Sequence, residues 1–260
     1  MVLKLDHVEN EKIAVLTLNR PEVLNALNTE LGLEMITALK EVAEDKKTRV
    51  IVITAEGDRA FCVGGDLKER NHMTDEQWLK QHLMFQELFQ RIRQSKKPVI
   101  TAVNGFALGG GCELAMSGSL IYASDRALFG LPEVTRGIIP GVGGTQTVGR
   151  FLPRVHAMKM LLTGEAIQVD EALQLGMVND ALPPDQVLRA ALETARLISD
   201  NSPIAVRMAK KAFTRGVDMP LEEGIEFALE CYNRTVSHPD RQEGVQAFNE
   251  KRKPQFQDIM

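Results

Sequence analysis

Short apolar runs alternate with amphipathic stretches along the first half of the chain. Ile13-Ala14-Val15-Leu16-Thr17-Leu18 is brief, apolar and β-leaning, and it stops at Asn19-Arg20-Pro21. That pattern predicts a strand closed by turn residues. With Thr29 as the expected cap, Leu33, Ile36, Leu39, Val42 and Ala43 follow at helical spacing and predict a helix buried on that face. Val50-Ile51-Val52-Ile53-Thr54 is continuously apolar up to Glu56-Gly57-Asp58, as a strand covered on both faces would be. Pro98-Val99-Ile100-Thr101-Ala102-Val103 and Leu120-Ile121-Tyr122-Ala123 predict two more strands. Strands of this kind between helices predict an α/β protein with largely parallel sheets.

Past residue 143 the strand pattern fades. Residues 186–199 place Val187, Leu188, Ala191, Leu192, Ala195 and Ile198 on one helical face. Residues 203–216 and 221–236 also read as helices. Pro220 suits the entry to the second of these, and Glu222 and Glu223 suit its first turn, where the helix dipole favours negative charge. The expected organisation is an α/β body over residues 1–195 and a helical region over 196–260 that packs on a neighbouring molecule.

Composition narrows the function. In 260 residues, 44% are apolar but only 5% aromatic, so the core must be built from aliphatic side chains. The net charge of −4 gives no general attraction to nucleic acid or anionic membranes. The cluster Lys46, Lys47, Arg49 reads as solvated surface. Cys62, Cys112 and Cys231 are odd in number and irregularly spaced, which points to free thiols in a reducing compartment. No Cys/His spacing resembles a metal site, and no apolar run reaches the roughly 18 residues that span a bilayer. The expectation is a cytoplasmic protein.

Two glycine-rich turns carry candidate chemistry. The first, Phe61-Cys62-Val63-Gly64-Gly65-Asp66-Leu67-Lys68-Glu69-Arg70, follows the Val50 strand; Asp66 and Glu69 have capping-box spacing and put a helix start near Leu67. Alone, it reads as an ordinary helix entry. The second, Asn104-Gly105-Phe106-Ala107-Leu108-Gly109-Gly110-Gly111-Cys112-Glu113, opens an apolar helix with three consecutive glycines. Their entropic cost implies that tight packing or a bound group needs bare backbone there. Two such turns, each presenting N–H groups, have the makings of an oxyanion hole. Glu113 and Glu133 both lie among apolar neighbours, where a carboxyl tends to hold its proton to higher pH. A pair of them supplies an acid and a base. Structural alternatives stand beside these readings: Glu113 bonded to nearby backbone, and Glu133 paired with Arg136. The cluster Gly137-Ile138-Ile139-Pro140-Gly141-Val142-Gly143-Gly144 lacks the lysine of a nucleotide P-loop and suits an acyl chain or a bound water.

These residues together resemble the enoyl-CoA hydratase/isomerase (crotonase) superfamily over nearly the whole chain. The resemblance rests on Asn19-Arg20-Pro21 with Asn25-Ala26-Leu27, the turn from Phe61 to Asp66, the segment from Asn104 to Glu113, Leu131-Pro132-Glu133, the segment from Ile139 to Gln146, and Ala247-Phe248-Asn249-Glu250-Lys251-Arg252. It implies a spiral of ββα units with a helical C-terminal region that builds trimers, often paired into hexamers. It implies an acyl-CoA substrate, an oxyanion hole of the Gly65 and Gly110 amides, Glu113 as base, Glu133 as proton donor to the α-carbon, and Gly141 helping to hold the water. The family more often has Ala at the Gly65 position. CoA would lie against Val63, Gly65, Asp66 and Leu67, with Lys68 near phosphate and Phe248 and Lys251 reaching in from a neighbouring subunit. No cofactor beyond the CoA of the substrate is implied. An enoyl-CoA isomerase using Glu133 alone, a hydratase for a branched acid such as methylglutaconyl-CoA, other reactions on the same scaffold, and a non-catalytic RNA- or ligand-binding protein are the rival readings.

Overall fold

A computed structural model describes residues 1–257. The chain opens with a hairpin, β1 (Leu3–Val8) and β2 (Ile13–Leu18), whose turn holds Glu9, Asn10 and Glu11 at positive φ. Helix α1 (Thr29–Glu44) follows, then β3 (Val50–Ala55), β4 (Ala60–Cys62), the single turn α2 (Leu67–Arg70) and the long α3 (Asp75–Arg93). The same strand–strand–helix unit recurs as β5 (Val99–Val103), β6 (Phe106–Leu108) and α4 (Gly110–Ala115). It recurs again as β7 (Leu120–Ser124), β8 (Leu128–Gly130) and a 3-10 turn over Pro132–Arg136. Then come α5 (Gly144–Phe151), α6 (Arg154–Thr163), β9 (Ile167–Gln168), α7 (Val169–Gln174), β10 (Asp180–Leu182) and α8 (Pro184–Ser199). The chain closes with α9 (Pro203–Gly216), α10 (Leu221–Val236) and α11 (Pro239–Asn249).

In each repeat the first strand enters a six-stranded sheet of order β1-β2-β3-β5-β7-β10, and the second enters a four-stranded sheet of order β4-β6-β8-β9. β1 is antiparallel to β2, β9 is antiparallel to β8, and all other pairings are parallel. This is the spiral of ββα units the resemblance implied. Strand alternation divides the large sheet's side chains. Ile13, Val15, Val50, Val52, Ile100 and Ala102 pack under Val187, Ala191 and Ala195 of α8. Leu16, Leu18, Ile51, Ile53 and Val103 face the main core, with Phe61, Phe129, Leu31, Met35 and Phe89.

The structure corrects the sequence reading in detail. The cap of α1 is Asn28, which accepts from the Leu31 amide, and Thr29 is the first helical residue. Leu33 and Ala43 are exposed, and the buried face is instead Leu31, Gly32, Met35, Ile36, Ala38, Leu39 and Val42. Strand β1 went unpredicted because most of its residues are polar or partly exposed on a sheet edge. Strands β9 and β10 do form beyond residue 143. Helices α9 and α10 begin and end where the sequence put them. All three cysteines are free and buried.

Candidate active site

One cavity of about 1170 Å³ lies where the carboxyl ends of β4, β6 and β8 feed their turns. Val63, Gly65, Asp66, Leu67, Lys68, Gly110, Glu113, Glu133 and Gly141 all line it. Phe248 and Lys251 do not; Phe248 is 83% exposed on the outer surface of the same chain.

The two glycine turns meet at this cavity. Gly64 has φ +89° and Gly109 φ +54°, a region that glycine enters without a Cβ penalty. A Cβ built on Gly110 would lie 3.5 Å from the Gly64 α-carbon and 3.8 Å from the Gly65 nitrogen, so the two backbones are in contact. Gly111 has no room at all, since its Cβ would fall 1.9 Å from the Cys62 carbonyl oxygen. That close approach explains the costly third glycine. The Gly64 carbonyl accepts from the Leu27 amide, and the Asp66 amide donates to the Leu27 carbonyl. Between them, the Gly65 N–H donates to no described residue, nor does the Gly110 N–H at the start of α4. Two amides without a partner among the described residues therefore lie on adjoining loops in the wall of one cavity.

Asn25 and Arg20 brace the first loop. Asn25, buried and at positive φ, donates to the Glu56 and Ala60 carbonyls and accepts from the Arg20 amide. Arg20 forms a part-buried ion pair with Asp66 at 3.0 Å and also donates to the Ala26 carbonyl. Asp66 caps α2 by accepting from Lys68 and Glu69 amides. Glu69 does not complete a capping box; it accepts instead from the Thr29 amide. Burial opposes ionisation of Asp66, but Arg20 and the two cap amides outweigh it and hold the carboxyl below its usual range. The side chain of Asp66 is thus used in shaping the loop at the cavity's edge.

The two glutamates are buried and near one another. Glu113, on α4, is 4% exposed, and its Oε1 accepts from the Val142 amide at 3.0 Å and the Gly144 amide at 2.6 Å. Arg93 steadies that loop by donating to the Val142 carbonyl. Burial pushes the Glu113 carboxyl up to about 7; the two amides pull the other way, and the Glu133 charge adds to the rise. Glu133 is 9% exposed on the 3-10 turn, and its Oε2 is buried without a hydrogen-bond partner. Burial raises its pKa too. It makes no ion pair with Arg136, which donates to Pro132 and Thr135 instead, so that alternative fails. The bonding of Glu113 to backbone, offered as its structural alternative, does occur, and it leaves Oε2 without a described hydrogen bond. The Gly141 amide likewise donates to no described residue.

Sequence reasoning missed Val142 and Gly144 as the amides that fix Glu113, and it missed Arg70. Arg70 lines the cavity beneath Gly65, where a Cβ would fall 2.8 Å from its guanidinium carbon. The glycine at position 65 is matched to that arginine. An arginine closing the Gly65 turn was the available signal.

Unpaired amides from two glycine loops, set beside two proton-holding carboxyls, are the parts of an acyl-thioester enzyme. The family model for enoyl-CoA hydratase/isomerase matches residues 8–259. The chain belongs to the enoyl-CoA hydratase/isomerase family. It is 39% identical over 242 residues to the short-chain-enoyl-CoA hydratase of Clostridium acetobutylicum, covering 93% of each chain. It is 39% identical over 246 residues to the 2,3-dehydroadipyl-CoA hydratase of Escherichia coli, covering 95% of each. The crystal structure of an enoyl-CoA hydratase from Bacillus anthracis superposes with a TM-score of 0.96 at 36% identity, covering 100% of both chains.

Proposed function

We propose that this member of the family is an enoyl-CoA hydratase, adding water reversibly to a 2-enoyl-CoA to give a 3-hydroxyacyl-CoA. The observation that carries the reading is the pair of buried glutamates beside the unpaired Gly65 and Gly110 amides. The thioester oxygen accepts from both amides. Glu113, ionised, takes a proton from water as the oxygen attacks the β-carbon, and the alkene electrons move onto the thioester oxygen as an enolate. Charge that develops between fixed donors in a site shielded from water is stabilised without reorganisation, and loss of one such donor costs about 3–4 kcal/mol. Glu133, protonated, then delivers a proton to the α-carbon as the enolate collapses. The anchoring of Glu113 by two amides favours hydration over an isomerase reading, in which one glutamate would suffice. Gly141 supplies a further amide for the water.

The acyl-CoA enters past Val63, Asp66, Leu67 and Lys68, and the reading requires no cofactor beyond the CoA of the substrate itself. A homotrimer or a pair of trimers follows from the same reading. Phe213, Val217, Leu221, Ile225, Leu229 and Tyr232 expose apolar surface along α9 and α10, more than an isolated subunit leaves uncovered. Assembly would bring Phe248 and Lys251 to a neighbour's cavity. The test is a panel of 2-enoyl-CoA thioesters read by loss of the conjugated absorbance. Hydration of short 2-enoyl-CoAs is expected; 3-enoyl-CoA isomerisation without hydration would replace this reading with the isomerase one.

A further inference from the structure

We propose that Arg93 is a positioning residue for the base, acting on Glu113 through the turn from Gly141 to Gly144. The proposal rests on the hydratase reading of that glutamate and adds a residue outside the cavity to it. Arg93 ends α3 and does not line the cavity. Its Nη1 donates to the Val142 carbonyl at 2.7 Å. A Cβ built on Gly143 would lie 3.4 Å from the same nitrogen and 3.6 Å from the guanidinium carbon, so the guanidinium rests against that glycine. The Val142 and Gly144 amides converge instead on Glu113 Oε1. Gly143, between them, has φ +116° and ψ 2°. Two amides flanking a left-handed residue form a backbone nest, a concavity that receives an anion. A glycine at its centre can take other angles at little cost, so the nest needs an outside hold. Arg93 supplies one by fixing the peptide that joins Val142 to Gly143. His82, about three turns earlier on the same face of α3, lies against Gly141, where a Cβ would fall 2.8 Å from its Cε1. One helix therefore holds the turn at both ends.

Arg93 also brings a charge. Among the described residues it forms no ion pair, and the acid whose charge reaches it is Glu113. The influence is mutual: the guanidinium eases ionisation of Glu113, which burial and the Glu133 charge oppose. Several other titratable groups surround that carboxylate. Arg70, at the end of α2, also feels its charge. His82 on α3 is held neutral by burial and by Arg70. Burial pushes the Cys62 and Cys112 thiols up, so both stay protonated. Arg150, at the far end of α5, is bonded to Asp218. Among these groups only Arg93 is a cation bonded to the loop that holds the carboxylate. Part of its side chain is exposed, so water screens the charge and its effect on Glu113 is modest. Glu113 must be ionised to take a proton from water, so loss of the cation moves the acid limb of the pH profile upward.

The experiment follows kcat and KM for crotonyl-CoA across pH in the wild type, Arg93→Met and Arg93→Lys. Arg93→Met should lower kcat about threefold or more near neutral pH and leave KM within about twofold, because no cavity contact is lost. Its acid limb should move up by about half a pH unit, the size expected of one screened charge. Arg93→Lys keeps the charge and a donor, and should restore most of both. A second measurement needs no turnover: infrared titration of the protonated carboxyl band that disappears when Glu113→Gln is added. Its midpoint should rise in Arg93→Met and return in Arg93→Lys. Unchanged kcat and midpoint in Arg93→Met overturn the proposal. An equal fall at every pH with an unmoved midpoint also overturns it and leaves Arg93 a structural residue only. So does a rise in KM alone, which would place Arg93 at the CoA. A wild-type protein that hydrates no 2-enoyl-CoA removes the hydratase reading, and the infrared midpoint then still decides whether Arg93 acts on Glu113.

Discussion

Replacing Glu113 by Gln separates what this residue does for the reaction from what it costs the fold. The amide oxygen of Gln can still accept from Val142 and Gly144, so the local geometry is retained while the charge is removed. A carboxyl that ionises near pH 7 in the folded protein, against the ordinary glutamate range when unfolded, binds its proton more tightly in the fold. The difference is about 3 kcal/mol. Below the ordinary glutamate range both states are protonated and nothing is lost. As pH rises towards about 7 the unfolded chain gives up its proton first, so the wild-type fold loses stability over that interval. The variant has no such proton. Its Tm should match that of the wild type below about pH 4 and exceed it by about 6–10 °C near pH 8, taking about 2–4 °C per kcal/mol. Protein concentration must be held constant in both series, because assembly also shifts Tm. Over the same samples, hydration should fall by about a hundredfold or more through loss of the base. Wild-type and variant melting curves that shift alike with pH, or a variant less stable at both, would refute the account of Glu113 as a buried, reluctantly ionised acid.

Glu133→Gln should likewise reduce hydration by about a hundredfold while the circular dichroism spectrum stays native, since it leaves the 3-10 turn in place; near-normal turnover would remove Glu133 from the reaction. If Glu113 acts as base and Glu133 as acid, as proposed, the active form is the singly protonated pair, so kcat/KM should fall on both the acid and the alkaline side, with apparent values that belong to the pair rather than to either residue. A profile flat from about pH 5 to about pH 9 contradicts that assignment. Gly111→Ala should cost about 3 kcal/mol or more, or abolish soluble expression, because its Cβ meets the Cys62 carbonyl. Gly149→Ala, on a helix with nothing within 4 Å of the new Cβ, should instead stabilise by up to about 1 kcal/mol; comparable melting losses for both would undo the packing argument.

The parts of the molecule that could be read from the sequence are those with a local signature. The buried strand β3 and the helices α9 and α10 have unbroken apolar or periodic patterns, and their residues were identified directly. Three glycines ahead of Glu113 signal tight packing or a bound group, and at Gly111 the packing partner is the Cys62 carbonyl. The short strands β4, β6 and β8 sit inside the glycine turns, too brief for any period to register, so the second sheet was invisible. The hold of Val142 and Gly144 on Glu113 is a backbone contact across about thirty residues and leaves no side-chain trace. Asp66 shows a different limit. The family resemblance puts CoA against it, and its carboxylate is taken by Arg20 and the α2 cap. Phe248 and Lys251 do not line their own chain's cavity.

The vibrational frequency of a thioester carbonyl bound in the cavity addresses the reaction most directly. With a saturated acyl-CoA carrying a carbon-13 carbonyl, isotope-edited infrared difference spectra isolate that one bond. Donation from Gly65 and Gly110 together should weaken it and move its stretch well below the value in water. A bound ligand whose carbonyl absorbs at or above the aqueous frequency would mean that these two amides do not hold the oxygen.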